Sequence, residues 1–293
     1  MTTRTGNFLI GFRRGWSEWT RQLPALLSWA ARSGFAAVDL MNVTPEDVAS
    51  VTAHGLRIGS ADLLDFGQLL QDDPSARKAL IDRNLQYIRR LAPLGVKVFF
   101  TCVIPDDPAR PRIESYRRAV DVFIPLSAAA AECGAKIAIE GWPGGAPHYA
   151  NLCCTPETCR AFLRDVGGDA IGINYDPSHL IRLGVDHIRF LREFAPRVWH
   201  VHAKDTELFP EAAYEFGTYS AGVFQSPHPF GEHVWRYTIP GHGVARWHEI
   251  LRILSESGYR GVVSVELEDG NFNGTEAGEK TGLELSRDFL RGV

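Results

Sequence analysis

The feature that most restricts what this chain can fold into is an eightfold alternation of short apolar runs with segments that read as helices. The runs lie at 8–11, 37–40, 56–60, 96–102, 136–140, 170–175, 197–203 and 261–267. Helix punctuation separates them. Residues 19–33 form an apolar stripe that stops at Gly34, and 74–92 form a long amphipathic segment ending before Gly95. Residues 112–133 close on Gly134, and further helices are expected within 180–194, 244–257 and 275–290. Thr44-Pro45 and Thr155-Pro156 each supply an N-cap followed by proline at the first helical position. The run at 96–102 is apolar without interruption, as a strand buried on both faces should be. Eight such units in 293 residues predict one α/β domain over 1–293, a single (β/α)8 barrel. A doubly wound open sheet also alternates strands and helices, but gives no reason for what stands at the strand ends.

Those ends carry chemistry. The stretch 172–180, Gly-Ile-Asn-Tyr-Asp-Pro-Ser-His-Leu, begins as a buried strand and stops on Asp176, a proline and His179. Three other runs close on Glu140, His202 and Glu266. Carboxylates are rarely buried without a partner or a metal, so four ligand-type residues on four strand ends are hard to explain by packing alone. Two loops after strand ends depart from ordinary barrel connections. One is the Gly/Pro-rich 141–152, with Trp142 and His148; the other is a long insertion, 205–242, rich in aromatic residues. Both should emerge on the C-terminal face, where barrel enzymes build their sites.

In order along the chain, Glu140, Asp-Pro-Ser-His at 176–179, Val-His-Ala-Lys-Asp at 201–205, Pro-Gly-His-Gly at 240–243 and Ser-Val-Glu-Leu at 264–267 resemble the sugar phosphate isomerase/epimerase family of the xylose-isomerase-like TIM-barrel superfamily. The resemblance implies a divalent-metal-dependent isomerase or epimerase that removes an α-proton through an enediolate. It implies Glu140, Asp176, His202 and Glu266 as ligands of one cation, and Glu140 and Glu266 as the acid/base pair. Three carboxylates and an imidazole suit Mn²⁺ first, with Mg²⁺, Co²⁺ or Zn²⁺ admitted. His179 is expected to orient substrate or carry a proton, or to support a ligand. His200, two residues before His202 on the same strand, is expected inside the barrel, as structural support or a substrate contact. Lys204 is expected to bind an anionic substrate group or to make an ion pair. Arg236 resembles the epimerase arginine that precedes the Pro-Gly-x-Gly turn and contacts substrate. Trp142 offers a face for stacking on a sugar, or packs into the core, and Trp16 and Trp19 share that ambiguity.

A related group of enzymes uses the same enolisation to expel the aglycone of a 3-keto glycoside, often with a small partner subunit, and the aromatic insertion suits a bulky substrate of that kind. A metal-dependent DNA-repair nuclease on this barrel should show more histidine and acidic ligands and a basic groove. The formal net charge of −4 gives no such footprint, so no nucleic acid is expected. A binding protein without turnover has no use for the acid/base pair. No stretch approaches the ~20 apolar residues of a membrane span and no secretory segment opens the chain, so no membrane partner and a cytoplasmic location are expected. Five cysteines without metal or redox spacing are expected as free thiols. The partners expected are a small carbohydrate or carbohydrate derivative and further copies of the chain in a homo-oligomer.

Overall fold

Parallel strands need crossovers long enough to hold a helix, and the punctuation between the apolar runs supplies them. In the computed structural model, which describes residues 1–145, 149–220 and 222–293, the strands are β1 (Leu9–Arg13), β2 (Ala37–Leu40), β3 (Arg57–Asp62), β4 (Val98–Cys102), β5 (Lys136–Glu140), β6 (Ile171–Tyr175) and β7 (Val198–Ala203), then β8 (Asp205–Leu208), β9 (Trp235–Thr238) and β10 (Val262–Val265). All but β8 and β9 close into one parallel barrel in the order β1–β10–β7–β6–β5–β4–β3–β2. Every barrel strand faces the interior on one side and the helices on the other, which is why the runs read as nearly continuous apolar segments. Phe12, Val38, Phe99, Ile137, Ile173, Val201 and Val263 are all buried.

The register places the chemistry. Glu140 pairs with Cys102 on one side and with Asn174 on the other, and His202 pairs with Ser264. Local signals fix the helix starts: Thr44 and Asp47 form a reciprocal capping box, and Asp73 caps the helix Pro74–Leu91. Thr155 stands at its expected N-cap position, but its side chain makes no capping bond.

Three departures from the sequence reading matter. The segment 19–33 is two helices, Glu18–Arg21 and Leu23–Arg32, because Pro24 lacks an N–H and the chain must restart around it. The helix expected within 180–194 is likewise two, Pro177–Arg182 and His187–Phe194, parted at Gly184 with its φ of +71° and recapped by Asp186. The insertion is a built element rather than a loop: β8 and β9 pair antiparallel, with the helix Pro210–Phe216 between them. No helix among the described residues is long and apolar enough to cross a membrane. The five cysteines are free, and all but Cys133 are buried. His148 lies outside the described residues.

Candidate active site

Asp176 is placed by a helix start. Its Oδ1 accepts from the Ser178 backbone N–H at 2.8 Å as the N-cap, and Pro177 takes the first helical position. One turn on, His179 faces back, with Nε2 at 3.4 Å from Asp176 Oδ2 and 3.5 Å from Glu140 Oε2. The Asp-Pro-Ser-His motif is therefore a capped turn that sets a carboxylate oxygen and an imidazole nitrogen facing each other. Neither Asp176 Oδ2 nor His179 Nε2 has a hydrogen-bond partner among the described residues, although both are buried.

Glu140 and Glu266 stand three strands apart around the barrel, at the ends of β5 and β10. Between them lies His202, stacked on Phe100, with Nδ1 at 2.7 Å from Glu140 Oε1 and 3.4 Å from Glu266 Oε2. Asn174 donates to Glu140 Oε1 at 2.7 Å. Glu266 Oε2 accepts from Lys204 Nζ at 2.5 Å, and its Oε1 lies 3.2 Å from Arg13 Nε. Lys204 is fully buried and reaches Glu268 at 2.9 Å and Asp176 at 3.4 Å, so it makes the ion pair expected of it, but inside the site.

The electrostatics follow from this crowding. Burial and the charge of Glu266 both push the Glu140 carboxyl upward, yet His202 and His179 hold it well below the usual carboxylate range. Burial likewise works against ionising Glu266, and Lys204, His202 and Arg13 overcome it. His202 is pushed up, against its own burial, by the two glutamates.

Sequence reasoning missed half of this setting. Arg13 holds Asp62 through two bonds of 2.8 and 2.7 Å, and Asp39 Oδ2 lies 2.9 Å from His200 Nε2 and 3.6 Å from His202 Nε2. His200 is thereby a wholly buried partner of Asp39 in the barrel interior. Asp39 within the strand Ala-Val-Asp-Leu was a legible signal, since a charge inside an otherwise apolar strand needs a partner. Asp62 escaped because β3 runs two residues further than its apolar pattern.

The insertion contributes Tyr237. Its hydroxyl lies 2.7 Å from His179 Nδ1, and Lys204 Nζ sits 4.5 Å from its ring. Arg236, its neighbour on β9, is on the opposite face of the ribbon, because side chains alternate, and pairs there with Glu207 at 2.7 Å. The register thus brings Tyr237 to the site in place of Arg236. Trp142, just beyond Glu140, is more than a third exposed, and its carbonyl anchors the loop by accepting from Asn151 at 2.9 Å. A cavity of about 230 Å³ opens beside Glu266, walled by Arg14, Trp16, Trp19, Phe230 and Glu268.

Ligand atoms of Glu140, Asp176, His179 and Glu266 lie within 4.8 Å of one another, and His202 Nδ1 borders the same space. Five carboxylates, Asp62, Glu140, Asp176, Glu266 and Glu268, crowd around two permanently cationic side chains, Arg13 and Lys204. That surplus of negative charge, an Asp176 oxygen without a hydrogen bond among the described residues and the oxygen-rich donor set fit a hard divalent cation.

Fold and site together define a parallel barrel protein with a cluster of carboxylates and imidazoles at its C-terminal mouth that could hold a metal ion. The chain belongs to the xylose isomerase-like TIM barrel family, whose model matches residues 27–292. It is 31% identical over 159 residues to an inosose isomerase of Halalkalibacterium halodurans, covering 53% of this chain and 47% of that protein. The chain thus spans about half the length of that curated relative. A crystal structure of D-psicose 3-epimerase with D-fructose superposes with a TM-score of 0.70 at 17% identity, covering 97% of this chain and 98% of the other. The IOLI protein with a bound zinc atom superposes with a TM-score of 0.65 at 20% identity, covering 96% and 95%.

Proposed function

We propose that this protein is a divalent-cation-dependent isomerase or epimerase of a small carbohydrate or polyol ketone. The observation that carries the reading is the pair Glu140, buried, and Glu266, partly exposed, at two separate strand ends with one imidazole nitrogen, His202 Nδ1, facing both at 2.7 and 3.4 Å. Glu140, Asp176, His202 and Glu266 would hold the ion, Mn²⁺ first among hard metals and Mg²⁺, Co²⁺ or Zn²⁺ after it. When bound, it supplies Lewis-acid polarisation of a carbonyl and its neighbouring hydroxyl, which acidifies the proton between them.

The remaining work belongs to side chains. Glu140 and Glu266 reach the space between them from different strands, so one takes a proton from one face of a substrate carbon and the other returns it to the opposite face, inverting that carbon; using one glutamate for both steps moves a carbonyl instead. His179 presents Nε2 to the same space, and Tyr237 holds its Nδ1, which fixes the ring's orientation and tautomer. Lys204 keeps Glu266 ionised and thus ready to accept a proton. The substrate class proposed is a simple sugar or polyol ketone. The inosose isomerase and D-psicose 3-epimerase likenesses support that substrate class.

Calorimetric titration of Mn²⁺ into chelator-stripped protein tests the reading. Asp176→Ala is expected to weaken binding by at least roughly a hundredfold, beyond the ~10–100-fold typical of a supporting residue. Equal affinity in the variant and the parent would place the ion elsewhere.

A further inference from the structure

The opposite end of the barrel also has a cavity, and it differs in kind from the one beside Glu266. It encloses about 630 Å³ at the N-terminal mouth, among the first residues of β1, β3, β4, β7 and β10. Arg57, Lys97 and Arg260 stand around it, and among the described residues no acidic residue lines it. All three are exposed, and none forms an ion pair with a carboxylate among the described residues; Lys97 and Arg260 donate to the backbone carbonyls of Ala92 and Tyr259. The walls between them are apolar, from Leu9, Ile58 and Val98.

The inner end of this cavity is polar. His200 lines it, wholly buried, with Nε2 held by Asp39 and with Nδ1 lacking a hydrogen-bond partner among the described residues. Its Nε2–H donates to the Asp39 carboxylate, so the unmatched Nδ1 of the neutral ring is an acceptor, and the positive charge of this site comes from the rim. Three cations without carboxylate partners at a rim and an apolar wall below them make a receptor for a small organic anion: a charged head toward the cations, and a carbon body against the wall.

We propose that the N-terminal mouth of the barrel is a second binding site, for a small phosphate- or carboxylate-bearing metabolite, separate from the site of Glu140 and Glu266. Through His200 it touches Asp39, which lies 3.6 Å from the far nitrogen of His202, so an occupant at this end contacts a chain of groups that ends at the proposed cation site.

The test uses the full chain loaded with Mn²⁺, titrated with inorganic phosphate, glycerol 3-phosphate and succinate. Binding is followed by calorimetry and by ¹⁵N shifts of the histidine rings. At least one organic anion is expected to saturate below about 10 mM and to bind more tightly than inorganic phosphate, because only it uses the apolar wall. The His200 signals should move. Arg57→Ala with Arg260→Ala is expected to weaken binding by about tenfold or more, the size of one charge-assisted hydrogen bond, with Mn²⁺ content unchanged. Absence of saturable binding for all three probes overturns the proposal. So does binding that survives the double substitution unchanged, since the anion then sits at the other mouth. Neither result bears on the isomerase reading, whose residues lie at the far end.

Discussion

The insertion 205–242 contains two regions that share a segment of chain and little else. Its base is the ribbon of β8 and β9, sealed to the barrel by Asp205. That carboxylate accepts from the backbone N–H groups of Thr206 and Ala245 at 2.8 Å each, from Gly241 at 3.1 Å, and from the Trp247 indole at 3.0 Å. The Pro-Gly-His-Gly turn is shaped by this approach: Gly241 has a φ of +89°, and a Cβ on Gly243 would sit 2.3 Å from Asp205 Oδ1. The outer arc is the reverse. Tyr214, Tyr219, Val223 and Phe224 are 83–95% exposed. Aromatic content therefore does not distinguish the part that reaches the site from the part that does not; buried polar bonding does.

The contrast predicts graded effects. Asp205→Ala strands four donors at the join between ribbon and barrel and should cost ~3 kcal/mol in a denaturant titration; a loss below ~1 kcal/mol would mean that the ribbon is held some other way. Tyr237→Phe removes one hydroxyl and should lower turnover by about tenfold, with Mn²⁺ affinity unchanged and the ¹⁵N signature of His179 shifted between tautomers. Unchanged turnover and an unchanged His179 signature would reduce Tyr237 to packing. Phe224→Ser, on the outer arc, should alter stability by no more than ~0.5 kcal/mol. A larger loss would show that the arc packs against something, and the two regions would be less different than their exposure says.

The barrel was legible because each strand announced itself twice, by an apolar run and by the helix signal after it, and because Glu140, Asp176, His202 and Glu266 each fall at or next to such an end. What stayed hidden was pairing across the barrel. Arg13 meets Asp62 at 49 residues' separation and Asp39 meets His200 at 161, and no local pattern encodes which interior positions face each other once the sheet closes. Arg236 and Tyr237 show the same gap within one strand. A one-residue change in register exchanges the residue that enters the site, and the sequence around the insertion offers no alternation strong enough to fix it.

Proton transfer by Glu266 beside a bound cation is read out by solvent-deuterium incorporation into a panel of ketoses and inososes by Mn²⁺-loaded Glu266→Gln. The amide keeps a ligand oxygen and nearly the same shape while removing the base. The variant should retain its metal and lose exchange and turnover by at least ~10²-fold, the usual size of a general-base contribution. A metal-loaded Glu266→Gln protein with parental exchange and turnover would contradict that role of Glu266, and would pass the proton to His179.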